Sequence, residues 1–512
     1  MQAITSVQPK YYLKANRIFT PIRRHAWILV PVLALGSLYV PWIGLGVALI
    51  MLTIAVTGLF DGRYFCGNLC PHSSLFDRFM LPISLNRKIP KVFTSPVTKW
   101  GFFGFYMLMF ITRLGRIAPF WGDIVYLERL GEIMGRQYLT MPTVVGLTLA
   151  FLNPRTWCSF CPMGTFSEVM HKVGTGLGLN RKTDKKVTIS STSKCHMCAT
   201  CARVCPMQLT PFQNFNENNQ FDSDMCIRCG TCVAACPADV LSLQTEDGAV
   251  RLMQDTALDG YENRHRVTAK LEKISSLRDN VKELTFNTQN ASEDGLAEQS
   301  QPAMGYQPGQ FVLVKVSDSP YMYRAYSVSS MDPNDPQRLS VTVMNKPGGY
   351  GSHAVFNEFS EGQNIDIVGP MGNELVVDKS KEQIVMVAGG IGITPFVPIV
   401  KDIVDNPGNV KKATLLYGVN KEHEFLYDDY FTRLSEESSI FDYVKAVAFP
   451  ETDWNGHTGF VTAVMEDMDL RGHELYMCGP PPMIKAVNTT LERMKDAGTG
   501  IDDTAIHYET AS

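Results

Sequence analysis

Cys195-His196-Met197-Cys198-Ala199-Thr200-Cys201-Ala202-Arg203-Val204-Cys205-Pro206 is followed by Cys226-Ile227-Arg228-Cys229-Gly230-Thr231-Cys232-Val233-Ala234-Ala235-Cys236-Pro237. Both read C-x2-C-x2-C-x3-C-P. Thiols this close along the chain are better metal ligands than disulfide partners. A tight loop brings three cysteines around one iron–sulfur cluster and directs the cysteine before proline to the other. Cys195, Cys198, Cys201 and Cys236 then hold one [4Fe–4S] cluster, and Cys226, Cys229, Cys232 and Cys205 the other. Zinc knuckles are the structural alternative, but zinc sites use two separated pairs rather than a three-cysteine run. Twelve of the thirteen cysteines lie in four such groups, each closed by Cys-Pro. The remaining two groups are Cys66/Cys70-Pro71 and Cys158/Cys161-Pro162.

At 512 residues the chain has room for several domains. A net charge of -4 argues against a nucleic-acid partner, and free thiols in this number fit a reducing compartment. The first third is strongly apolar. Runs at Trp27–Val40, Trp42–Phe60, Trp100–Ile111 and Met141–Leu152 read as about four membrane spans. The last two also fit a buried amphipathic pair, since Arg113 and Arg116 interrupt one and the other is short. Basic residues cluster before the first run, between the second and third, and after the fourth. That asymmetry places both termini and the soluble domains on the cytoplasmic side of a bacterial-type inner membrane. No A-x-A-like cleavage site follows the first run.

Each short cysteine pair lies just past a span, in a pseudo-repeat. Gly62-Arg63-Tyr64-Phe65-Cys66 matches Pro154-Arg155-Thr156-Trp157-Cys158, and Ser74-Leu75-Phe76 matches Thr165-Phe166-Ser167. The domain order reads as a tail (1–25), a membrane domain (26–171), a linker (172–192), a cluster domain (193–245), a second linker (246–262), a β-barrel (263–378) and an α/β nucleotide-binding domain (379–512). The fold class is therefore multidomain: an α-helical membrane domain, an α+β two-cluster domain, an antiparallel barrel and an α/β domain.

Residues 193–245 resemble bacterial two-cluster ferredoxins. The short pairs resemble those of membrane polyferredoxins, where C-x3-C-P usually occurs twice. Here the second pair is C-x2-C-P, one residue shorter. The resemblance implies a third iron–sulfur centre on Cys66, Cys70, Cys158 and Cys161; a redox-active dithiol and structural thiols beside a quinone or haem pocket are the alternatives. His25, His72 and His171 lie near span ends, where headgroup-level polar residues are commoner than haem ligands.

Tyr323-Arg324-Ala325-Tyr326-Ser327, with Pro308-Gly309-Gln310-Phe311 upstream, resembles the R-x-Y-[ST] region of the ferredoxin–NADP reductase superfamily. The resemblance implies that Arg324 pairs with the FAD pyrophosphate, Tyr326 stacks on the flavin and Ser327 hydrogen-bonds near its N5. A guanidinium fork suits phosphate oxygens. Gly348-Gly349-Tyr350-Gly351-Ser352 precedes an expected helix, with Ser352 as its cap. Ala388-Gly389-Gly390-Ile391-Gly392-Ile393-Thr394-Pro395 forms a glycine turn for the nicotinamide dinucleotide pyrophosphate, with Gly389, Gly390, Gly392 and Thr394 as contacts. Met477-Cys478-Gly479-Pro480 resembles the family's C-G-P segment, which places Cys478 at the nicotinamide. A buried strand thiol is the bland alternative for Cys478. His507-Tyr508-Glu509 is expected near the flavin. Asn420-Lys421-Glu422-His423-Glu424 lacks an arginine cluster for a 2′-phosphate, which favours NADH over NADPH.

The expected cofactors are FAD, two [4Fe–4S] clusters and NADH or NADPH as substrate, and the expected catalytic residues are Cys478, Tyr326 and Ser327. The reading is a membrane-bound NAD(P)H-oxidising flavo-iron–sulfur reductase serving a redox partner protein or small carrier. A flavin is required because nicotinamide gives two electrons and a cluster accepts one. A quinone reductase and a maturation electron donor for a client metalloenzyme are the competing readings.

Overall fold

The computed structural model describes residues 9–192, 194–255, 265–288, 305–332, 335–451 and 454–510. They divide into two compact units. One runs over Lys10–Cys195 and Ala199–Gly260; the other holds Tyr261–Ser512 with His196–Cys198 and the first nine residues.

In the first unit, helix Leu29–Tyr39 stops where Val40 turns extended before Pro41. Among the described residues one helical stretch, Pro41–Asp61, is long and apolar enough to cross a membrane. The other three expected spans fall short of that test. Leu29–Tyr39 has 11 residues. Pro96–Ile117 has 22 but carries Lys99, Arg113 and Arg116. The fourth is a widened π-turn, Leu139–Val145, followed by Gly146–Ala150. Pro142 inside that turn has no N–H to give the ladder.

Parts of both stretches read as linkers are structured, while 256–262 lie outside the described residues. Helix Pro162–Gly176 carries the first into the fold, and a Cβ on Gly174 would run into the Leu59 carbonyl. That glycine is a packing residue: it lets the helix lie backbone-to-backbone on Gly46–Asp61. Strand β1 (Lys186–Ile189) then pairs antiparallel with β2 (Leu241–Gln244). The second linker begins as helix Glu246–Asp255.

In the second unit six antiparallel strands close a barrel in the order β3-β4-β7-β6-β5-β8. They are β3 Arg266–Arg278, β4 Val281–Asn287, β5 Phe311–Asp318, β6 Tyr321–Asp332, β7 Asp335–Met344 and β8 Asn364–Met371. Closure removes the exposed edges that an open sheet would present. A parallel sheet follows: β9 Gln383–Gly389, β10 Lys412–Val419, β11 Phe441–Val447, β12 His457–Thr458, β13 Glu474–Gly479 and β14 Ile506–Thr510. Its order is β12-β11-β10-β9-β13-β14. The winding reverses between β9 and β13, and the carboxyl ends of strands at such a reversal form the ligand crevice of open α/β sheets. Tyr427, on the α/β side, donates to Glu283 Oε1 of the barrel at 2.9 Å.

Candidate functional site

The carboxyl ends of β9 and β13 carry the two glycine motifs. Cys478 pairs with Ala388 across the sheet, and a Cβ on Gly392 would strike the Cys478 carbonyl. Gly389 likewise leaves room for Met483 and Pro480. The turn Gly390–Ile393 and the Gly479-Pro480 corner therefore back onto one another, with Thr394 buried at the start of the following helix. Pro480 occupies the N-cap position of helix Pro481–Asp496. Only the glycine turn Gly390–Ile393 has backbone N–H groups to offer a dinucleotide pyrophosphate; Pro480, Pro481 and Pro482 have none, and Met483 N is bonded to the Pro480 carbonyl at 2.9 Å.

On the barrel, Arg324 and Tyr326 lie one strand repeat apart on β6, and Ser327 is paired with Phe311 of β5. A Cβ on Gly351 would meet Arg324 Cγ at 2.7 Å. Gly351 thus holds the guanidinium stem against the first turn of helix Tyr350–Asn357, whose N-cap is Gly349. A cation and a helix N-terminus side by side fit a pyrophosphate. Ser352 does not cap the helix; its hydroxyl accepts from Lys346 N at 3.1 Å, inside the turn. The cap oxygen has to precede the first turn, and Ser352 lies too far along the chain for that. Burial pushes the Tyr326 phenol up to about 12.

Glu509 is the residue that motif reading left without a role. It faces Cys478 across β13 and β14. Its Oε1 lies near Gly372, as does the Phe311 ring, and has no hydrogen-bond partner among the described residues. Burial, and secondarily Glu374, pushes its carboxyl up to about 8 from 4.5. Ser327, Phe311, Glu509 and Cys478 thus form one connected edge. A neutral carboxyl there does not oppose negative charge arriving with a hydride; an ionised one does. Flavin reduction by NADH, followed in a stopped flow, is expected to slow as pH rises through about 8. Glu509→Gln should remove that limb; an unchanged limb in the variant would assign it to another group. Because the folded pKa is raised, the group's stabilising contribution is full below about 4.5 and is lost as pH rises through about 8.

The two ferredoxin loops share one backbone plan. Met197 and Ala199 adopt positive φ in the first, Arg228 and Gly230 at the matching places in the second, then Gln208 and Asp239 after each Cys-Pro. The repeated left-handed turns wrap each loop tightly around its three cysteines. Cys205 lies within electrostatic reach of Cys229 and Cys226; burial first, then Cys229, pushes its thiol up to about 12. Cys232 is raised by burial and by Cys229, Cys205 and Cys226 in turn. So many buried thiols can be anionic together only around cationic iron.

The four remaining clustered cysteines also converge. Burial, then Cys66 and Cys158, raise Cys70. Burial, then Cys158 and Cys66, push Cys161 up to about 12. Cys70 and Cys161 are each the N-cap residue of a helix whose first residue is proline. His72 and His171, weighed as haem ligands, are engaged elsewhere: His72 Nε2 with Thr143 Oγ1 at 2.9 Å and His171 Nε2 with Asp184 Oδ2 at 3.0 Å.

Sequence reading missed the charges around this centre. Arg63 and Arg155 each stand three residues before the first cysteine of a pair, and Asp77 and Glu168 six residues after each Cys-Pro proline. The pairs cross between halves. Arg63 Nη1 meets Glu168 Oε1 at 3.4 Å, and Arg155 Nη2 donates to Asp77 Oδ2 at 2.5 Å. Arg63 also donates to the Cys158 carbonyl at 2.7 Å. Arg155 Nη1 lies 3.7 Å from Cys158 Sγ. The signal was present as R-x2-C…C-P-x5-[DE] in both halves.

The chain matches, in order, four families. They are described as 4Fe-4S binding domain over residues 43–90 and 138–180, 4Fe-4S dicluster domain over 187–237, oxidoreductase FAD-binding domain over 268–374 and oxidoreductase NAD-binding domain over 386–489. The class that fold, site and matches define is an FAD- and NAD-binding oxidoreductase with two [4Fe–4S] clusters. More particularly, it is similar to the toluate 1,2-dioxygenase electron transfer component of Pseudomonas putida, 29% identical over 40% of this chain and 59% of the relative. It is 30% identical to the electron transfer component of dihydroorotate dehydrogenase B of Shouchella clausii, over 35% of this chain and 65% of that one. It is 29% identical to a component of the Na(+)-translocating NADH-quinone reductase of Klebsiella pneumoniae, over 34% and 46%. The chain thus spans about half to two-thirds of the length of these relatives.

Proposed function

We propose that the chain is a membrane-bound NADH-oxidising reductase. It passes a hydride from NADH to FAD, then single electrons through two [4Fe–4S] clusters to a third centre held by Cys66, Cys70, Cys158 and Cys161. From there they leave for a membrane-side acceptor. The observation that carries this reading is the convergence of those four thiols in the same compact unit as Cys205, Cys226, Cys229 and Cys232. A cluster that only served a soluble partner would need no such exit.

Membrane attachment is supported by helix Pro41–Asp61 and by the large apolar side chains left exposed around it, among them Leu35, Leu38, Leu49, Leu52, Leu108 and Ile111. The soluble domains then lie on the side of the basic flanks, the cytoplasm. The choice of NADH is supported by the segment after β10, where Glu422 and Glu424 stand and Lys421 is drawn toward Glu451 at 3.9 Å. A 2′-phosphate would meet two carboxylates there.

The relatives point to two acceptor types, a dioxygenase and a quinone. The test is anaerobic purification in detergent with an iron count and an EPR titration by NADH and then NADPH. About twelve irons per chain and reduction by NADH support the reading; about eight would remove the third centre. NADH-dependent quinol formation by the chain alone would assign quinone as the acceptor.

A further inference from the structure

The two crossed ion pairs differ in their charge balance. Glu168 answers Arg63 and Lys99. Asp77 answers three guanidiniums: Arg155, Arg23 and Arg17, the last at 3.5 Å. All four side chains are at most 2% exposed. The Nε atoms of Arg17, Arg23 and Arg155 have no hydrogen-bond partner among the described residues. Three cations and one anion leave a buried surplus of positive charge, which is costly unless another anion faces it.

The anions in place to do so are thiolates from two centres. Arg155 lies against Cys158 Sγ, and Cys229 is within Coulombic reach of both Arg155 and Arg17, as is Cys205 of Arg17. The surplus therefore lies against the four-thiol centre and within charge reach of the ferredoxin cluster of Cys205, Cys226, Cys229 and Cys232. The backbones of the two centres also touch. A Cβ on Gly67, between Cys66 and Cys70, would run into the Ile227 carbonyl, between Cys226 and Cys229. Beside it Asn68 Nδ2 donates to the Arg228 carbonyl at 3.2 Å. Arg228 in turn donates through Nε and Nη2 to both oxygens of Asp184, at 2.8 and 2.9 Å.

We propose that electrons leave the ferredoxin domain from the Cys205/Cys226/Cys229/Cys232 cluster directly into the Cys66/Cys70/Cys158/Cys161 centre, across the Gly67–Ile227 contact. Arg155, backed by Arg17 and Arg23, is the shared counter-charge that keeps reduction of both centres favourable. This rests on the reading that the four thiols hold a cluster. The step moves one electron: the ferredoxin cluster is oxidised, the four-thiol centre is reduced, and no bond or proton changes hands. A thiolate-ligated cluster is anionic and gains one negative charge on reduction, so a fixed buried cation favours the reduced form. Arg155 is a positioning residue in this scheme, acting through the electrostatics of the centres.

The test uses the full chain in detergent, as wild type, Arg155→Gln, Arg155→Lys and Arg17→Gln, with iron counts and EPR redox titrations. With iron retained at about twelve per chain, Arg155→Gln should lower the potentials of two of the three centres together. The shift should be about tenfold in each reduction equilibrium, or about 59 mV for one electron. Arg155→Lys should restore most of it. Unmoved potentials, or a shift confined to one centre, overturn the shared counter-charge. If Arg155→Gln loses iron, Arg17→Gln decides, since Arg17 reaches the thiols through charge alone; it should lower the ferredoxin cluster alone, and no shift there overturns the proposal. Gly67→Ala should slow reoxidation of that cluster at unchanged potentials, and an unchanged rate overturns the route. About eight irons in the wild type would instead fail the underlying reading.

Discussion

Replacing Cys229 by alanine is expected to remove one cubane, about four irons per chain, and to stop electron delivery beyond the ferredoxin domain. NADH should still reduce the flavin and support ferricyanide reduction there, because the crevice at β9 and β13 is built from Gly389–Thr394 and Cys478–Pro480. The expectation rests on the site's construction. Cys229 is the thiol whose charge acts on Cys205, Cys226 and Cys232 alike. It is also the one within reach of Arg155 and Arg17. Cys205→Ala should reproduce the loss, although Cys205 belongs to the other sequence run. An iron count, EPR of the reduced protein and paired assays with ferricyanide and a membrane acceptor make the comparison. Iron loss from the Cys195 set after Cys205→Ala would refute the crossed ligand assignment.

The second large effect is structural. Asp77→Asn takes away the one carboxylate facing three buried guanidiniums. Breaking a buried ion pair from one side leaves uncompensated charge and costs about 3–5 kcal/mol. Asparagine keeps the volume and part of the hydrogen bonding, so the loss is one of charge rather than packing. Thermal unfolding of the detergent-solubilised chain should show the N-terminal unit melting earlier, while flavin release from the C-terminal unit stays at its wild-type temperature. A change below about 1 kcal/mol would mean that water or the neighbouring thiolates balance the arginines without Asp77.

Legibility in the sequence followed the range of the interactions. The cubane ligands of each run, the Cys-Pro helix starts and the glycine turns lie within a few residues of one another, so local backbone conformation decides them. The β-rich runs Val267–Ile274, Val281–Asn287, Gln310–Val316 and Leu339–Asn345 coincide with β3, β4, β5 and β7, give or take a residue at the ends. Burial alternates along the start of β3, a period-two pattern, while Phe311–Val314 of β5 and Leu339–Val343 of β7 are buried throughout. The linkers mislead for the opposite reason. Gly174, Gly176 and Gly178 resemble loop composition, yet Gly174 is small because the Leu59 backbone lies against it. Ser352 reads as a cap and is not one, since cap position depends on where the helix begins rather than on which polar residue stands nearby.

From its residues alone the chain declares an iron–sulfur, flavin and nicotinamide inventory, because much of each cofactor's contact pattern lies within one short, recognisable run. Tertiary structure decided how the parts are charged and coupled. It set Glu509 against Cys478, and crossed Arg63 with Glu168 and Arg155 with Asp77. Those outcomes depend on burial and on summed Coulomb terms among groups far apart in the chain. Such sums exist only once the helices and loops are packed together.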